Sequence, residues 1–131
     1  MTSFLTAVST GFRHGADFAG RATRSEYWWF ALFTWLAGTV GFGAWVAAPP
    51  WLGFPLSALS VASGLLPHMS LLVRRLHDTG RSGAYFFICV VPLIGLIRLV
   101  MALADRGDAG ANAYGPAPVG WQSTPDPLPV G

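Results

Sequence analysis

The sequence predicts an all-α, polytopic membrane protein with three transmembrane helices, a short N-terminal interfacial helix and an irregular C-terminal tail. Three observations predict it. First, 53% of the 131 residues are hydrophobic and only 11% are charged, with a mean hydropathy of +0.49. An ordinary soluble domain carries about 25% charged residues, and a chain this short must expose a large share of its surface. Second, residues 27–73 contain no charged side chain. Third, Trp28, Trp29 and Trp45 stand near the two ends of the first apolar run. The same composition excludes a disordered chain, which would be poor in apolar residues.

The elements follow in order. Residues 1–26 form an N-terminal segment expected on the cytoplasmic side. Within it, Phe4, Leu5, Val8 and Phe12 recur close to an i, i+4, i+8 stripe over residues 4–12, as in a short amphipathic helix at a membrane surface. The broken apolar pattern around Thr6, Ser9 and Thr10 is not that of a secretory signal, so the first span is expected to act as its own uncleaved insertion signal. Thr23-Arg24-Ser25-Glu26 has the spacing of a capping box, in which threonine and glutamate side chains satisfy orphan amides at a helix start.

The membrane domain is expected over residues 27–104. Tyr27 to Ala48 gives about 33 Å of helix, enough for a hydrocarbon core near 30 Å. Trp28 and Trp45 fall about 26 Å apart on it, which suits the two interfaces. Pro49-Pro50 ends this helix in a short uncharged turn. The second run, Trp51 to Leu72, carries four serines, His68 and two prolines. Pro67 removes a helical hydrogen bond and predicts a kink. Ala37/Gly41 in the first run and Ser60/Gly64 in the second are small-xxx-small pairs that allow backbones to approach. The third run, Ala84 to Ala104, holds Pro92, Gly95 and Arg98. It is read as one kinked span with Arg98 snorkelling, the alternative being a re-entrant hairpin bent at Pro92–Gly95. Residues 105–131 carry five of the ten prolines and five glycines and read as a flexible tail.

Charge placement sets the topology. All eight basic residues are arginines; six of them flank the starts of the first and third runs, and none lies in the turn between the first two. Cytoplasmic arginine excess therefore places the N-terminus and the 73–83 loop inside, and three spans place the tail outside. The arginines form no dense cationic stripe on a soluble module, so no nucleic-acid partner is expected. Cys89 is the only cysteine, which precludes an intramolecular disulfide and a cysteine-based zinc site.

Two polar blocks carry a resemblance. Gly20-Arg21-Ala22-Thr23-Arg24-Ser25-Glu26-Tyr27-Trp28 resembles the G-R-A-[ST]-R-x-E-Y-W signature of a bacterial inner-membrane family catalogued as domain of unknown function 805. Arg74-Arg75-Leu76-His77-Asp78-Thr79-Gly80-Arg81-Ser82-Gly83 is similar to its R-R-L-H-D-x-x-R-S loop. Val91-Pro92-Leu93-Ile94-Gly95 is similar to its I-P-x-I-G, and Gly110-Ala111-Asn112-Ala113-Tyr114-Gly115-Pro116 to its G-x-N-x-[FY]-G-P block. Ala113 and Ala84 depart from it, standing where a basic and an aromatic residue are common. The resemblance implies a polytopic protein of the bacterial inner membrane and no particular mechanism.

If both blocks are cytoplasmic, Arg21, Arg24, Glu26, Arg74, Arg75, His77, Asp78 and Arg81 share one face of the membrane. The functional reading is a non-enzymatic module whose arginine-rich collar engages anionic lipid headgroups or a protein partner, since arginine suits bidentate phosphate contact. The plainer reading is that these residues only set topology and pin helix ends. A membrane-bound hydrolase using His77 and Asp78 is a second alternative. His14 and His68 are the only other histidines, so no metal, cofactor or catalytic residue is assigned. Transport is the remaining alternative. His68 and Arg98 are polar groups within apolar runs, but three helices enclose little alone and would need a homo-oligomer or another membrane protein.

Overall fold

The computed structural model describes residues 3–118, and among them it is all helical: α1 (Phe4–Arg13), α2 (Arg24–Ala47), α3 (Pro50–Asp78), a 3-10 helix (Gly83–Val90) and α4 (Ile94–Ala104). Two of these helices, α2 and α3, are long and apolar enough to cross a membrane. The chain divides into two compact units.

The first unit holds residues 3–18 and 25–72. Ser3 caps α1 by accepting a hydrogen bond from the Thr6 amide at 3.3 Å. The helix buries Ala7 and Gly11, while Phe12 meets the rings of Phe30 and Phe33 edge-on at 5.5 and 5.7 Å. A side chain on Gly11 would overlap the Phe30 ring, so glycine lets α1 lie directly on α2. Pro50 occupies the first position of α3, where its missing amide costs nothing. Farther along, Gly41 of α2 packs against Ser60 of α3 closely enough that a Cβ would overlap the serine hydroxyl. Gly64 faces the Thr34 methyl group, where a Cβ would be a tight fit, and the Thr34 hydroxyl lies 3.2 Å from Nδ1 of His68. The α3 helix continues through Pro67; the Ser70 hydroxyl donates to the Pro67 carbonyl at 3.0 Å and the His14 carbonyl at 3.1 Å.

The second unit holds residues 19–24 and 73–118 of the described chain. Two features differ from expectation. Residues 73–78, expected as the start of a loop, are the last turns of α3, because Leu76 there is fully buried and the adjoining arginines favour helix. The third apolar run is not one helix. It is the 3-10 helix, a turn and α4, because Pro92 forces Val91 into extended backbone (φ −86°, ψ 104°) and Leu93 turns at φ 63°. The two pieces fold back on each other. Gly95 lies so near the Ile88 carbonyl that a Cβ would overlap it.

Candidate functional site: a buried arginine–aspartate cluster

The second unit is built around a carboxylate. Asp78 ends α3 and is fully buried, as is Arg75 one helical turn before it. Asp78 accepts from Nε of Arg21 at 2.9 Å through one oxygen and from Nη1 of Arg75 through the other. Two guanidinium ions around one carboxylate leave excess positive charge, which backbone carbonyls offset. Arg21 donates to the carbonyls of Gly110 and Asp108, while Arg75 donates to those of Leu103 (3.0 Å), Ala22 (3.4 Å) and Asp105. Burying an ion pair costs several kcal/mol per ion unless its remaining donors are satisfied, and here they are satisfied densely.

The acceptors belong to three separate segments. Ala22 comes from residues 19–24. Leu103 and Asp105 come from the end of α4, whose last carbonyls have no intrahelical partner and attract cations. Arg24 takes another of these, the Ala104 carbonyl, at 3.3 Å. Asp108 and Gly110 come from the segment after α4, where the Asp108 amide also donates to the Asp78 carbonyl at 2.8 Å. Gly107 sits against the Asp78 carboxylate with no room for a Cβ.

The block Gly110–Pro116 completes the unit. Asn112 donates to the His77 carbonyl at 2.9 Å and to the Asp108 carboxylate at 2.8 Å, and its own side-chain oxygen receives the Tyr114 amide at 2.9 Å. Tyr114 stacks flat on His77 at 3.9 Å between ring centres. The His77 Nδ1 lies 3.2 Å from the Gly20 carbonyl, which requires the proton on that nitrogen. Burial lowers the His77 pKa from its ordinary value and the Gly20 carbonyl partly opposes this, so the ring is neutral at neutral pH.

The sequence-derived candidates thus take different positions. Arg21, Arg74, Arg75, His77, Asp78 and Arg81 come together in this unit, and Arg24 reaches its α4 terminus. Glu26 belongs to the first unit, where it is buried on α2. Arg74 is 9% exposed and donates to the Arg21 carbonyl at 3.4 Å, while its Nε and Nη1 are buried without a hydrogen-bond acceptor among the described residues. Arg81 is half-exposed, paired with Asp105 at 3.0 Å and set over the Tyr85 ring at 5.4 Å. Asp105 and Asp108 carry no signal in the sequence, whereas Asn112 and Tyr114 stand in the Gly110–Pro116 block without having been assigned to the site. Residues 119–131 of the expected tail lie outside the described residues. No group of three or more His, Cys, Asp or Glu side chains among the described residues could hold a metal ion. Both oxygens of Asp78 are engaged by arginines.

The class is that of a small helical protein with two helices long and apolar enough to cross a membrane and a polar unit held by its own arginines. The family model for the protein of unknown function DUF805 matches residues 15–116, and the chain belongs to that family. It is 39% identical over 101 residues to the Inner membrane protein YhaI of Escherichia coli K12, covering 77% of this chain and 85% of that one. It is 32% identical over 112 residues to the Inner membrane protein YhaH of the same strain, covering 77% and 86%. The Uncharacterized protein YiiR, also of that strain, is 36% identical over 125 residues, covering 76% and 84%. No solved structure matches the chain.

Proposed function

We propose that the chain is a non-enzymatic module of the bacterial inner membrane whose second unit lies on the cytoplasmic side and binds anionic lipid headgroups. The location rests on the similarity to the inner membrane proteins YhaI and YhaH and on the arginines that flank the apolar runs. One observation carries the binding role. Within the described second unit, seven arginines stand against three aspartates, an excess of four positive charges. Arg21 and Arg75 spend their donors inside the unit. The collar is therefore narrower than the sequence suggests, and of its members Arg24, which is exposed, and Arg81, which is half-exposed, are left for headgroup contact.

Each juxtamembrane arginine gains on the order of 1 kcal/mol from an anionic leaflet, and 1.4 kcal/mol is a tenfold change in affinity. Reversing both charges with Arg24→Glu and Arg81→Glu is expected to weaken retention of phosphatidylglycerol at least tenfold, read by native mass spectrometry of the detergent-extracted protein. Equal retention in a correctly inserted variant overturns the reading. Loss of a co-purifying acidic protein instead of lipid replaces the headgroup with a protein partner.

A further inference from the structure

The second unit fixes both ends of the third apolar segment. At its start, the Arg81 amide donates to the Leu76 carbonyl at 3.0 Å, holding the chain against the end of α3. At its finish, Arg75 of α3 donates to the carbonyls of Leu103 and Asp105. Arg81 and Asp105 then pair with each other at 3.0 Å across the two ends. Residues 81 and 105 are thus clasped at one base, and everything between them leaves that base and comes back.

The excursion is apolar and short. Between Gly83 and Ala104 the only charged residue is Arg98. Phe87, Val90, Val91, Leu93, Ile94 and Met101 each expose more than half of their surface. The outgoing limb is the eight-residue 3-10 helix, about 16 Å long at 2.0 Å per residue. The returning limb is the eleven residues of α4, also about 16 Å at 1.5 Å per residue. Neither limb reaches across a core of about 30 Å, whereas each reaches about half of it. The Gly95 contact with the Ile88 carbonyl holds the limbs together near the turn.

We infer that residues 83–104 are a re-entrant hairpin that inserts into a single leaflet of the bilayer and returns the chain to the side it left. The apolar tip, Val90 to Ile94, sits near the bilayer midplane, and the base lies at the headgroups beside Arg24 and Arg81. Hydrocarbon is the occupant that matches this surface: apolar side chains face outward on both limbs, and the cations gather at the base. Arg98, exposed on α4, is six residues from its C-terminal end, about 9 Å, within reach of the same headgroups. In lipid, backbone polar groups must be satisfied within the chain; at the turn Pro92 has no amide to satisfy, and the Ile94, Gly95 and Ile97 amides donate to the Pro92, Val91 and Leu93 carbonyls.

The test uses the full chain in sealed native membranes, with Cys89→Ser as background and single cysteines at the exposed positions Ser82 and Ala109. A membrane-impermeant maleimide is expected to label Ser82→Cys and Ala109→Cys from the same side, in right-side-out or in inverted vesicles but not both. Labelling from opposite sides means a full crossing and overturns the hairpin. Fusing green fluorescent protein or alkaline phosphatase after Gly131 changes no residue and must place the tail on the Ser82 side; the opposite result also overturns it. A spin label at Leu93→Cys is expected to collide with oxygen more than with a water-soluble nickel complex. Collision mainly with nickel shows a tip in water. Shielding from both shows a protein surface over the tip. Either result overturns the leaflet as its occupant.

Discussion

Asp78 holds the second unit together through two buried arginines, one on each of its oxygens. Replacing one partner of a buried ion pair leaves the other charge uncompensated and costs about 3–5 kcal/mol. Asp78→Asn is therefore expected to lower the thermal unfolding midpoint in detergent sharply. Asp78→Glu should not restore it, because Gly107 already touches the carboxylate and leaves no space for another methylene. The half-exposed Arg81–Asp105 pair supplies the contrast. Such pairs contribute about 0–1 kcal/mol, so Arg81→Gln should scarcely move the midpoint; equal effects from Asp78→Asn and Arg81→Gln would contradict this ranking. Part of this was legible in the sequence. Arg75 and Asp78 are three residues apart and share a helix face once 73–78 is helical. Arg21, however, is 57 residues from Asp78, and no local spacing announces that bond.

At the scale of elements, the sequence is informative where one physical signal dominates. The uncharged run beginning at Tyr27 and the Pro49-Pro50 stop bound α2 to within a few residues of Arg24–Ala47. The small-xxx-small spacing also pointed to Gly41, Ser60 and Gly64, where α2 and α3 pack closely, as they also do at Gly53 against Ala44 and Trp45. It was less informative where signals competed. The charges of Arg74 and Arg75 suggested a loop, but the burial of Leu76 and the Asp78 pairing keep α3 helical to its end. In the third run, apolar length argued for a span while Pro92 and Gly95 argued for a bend, and the chain does bend there, between the 3-10 helix and α4. The α2–α3 contact gives a paired prediction. Gly41→Leu forces a side chain into Ser60, and overpacking of this kind costs about 1–3 kcal/mol. Gly38→Leu enters open space on the same helix. Thermal unfolding should show a lowered midpoint for the first variant and little change for the second, and a comparable loss in both would mean that helix propensity rather than contact is being read.

Across the whole molecule, the described polar unit is assembled from pieces that are distant in sequence: residues 19–24, the end of α3, the end of α4 and the segment through Pro116. Composition made that last segment look like a tail, since proline and glycine bury little and form no periodic pattern. What orders it is a set of hydrogen bonds that composition cannot display: Arg21 to the Asp108 and Gly110 carbonyls, Asn112 to the His77 carbonyl, and Tyr114 stacked on His77. Removing residues 106–131 would leave the buried Arg21 without those two carbonyl acceptors. Hydrogen bonds to charged groups contribute about 1.5–3 kcal/mol each, so the second unit should lose at least about 3 kcal/mol. The apolar helices α2 and α3 remain intact in such a truncation, so the protein should still enter the membrane. Limited proteolysis separates the two effects: the truncated protein should be recovered in the membrane fraction yet be cut rapidly between Thr79 and Gly83, where the full chain resists. A truncated protein as resistant there as the full chain would show that the segment after α4 is carried by the unit rather than holding it closed.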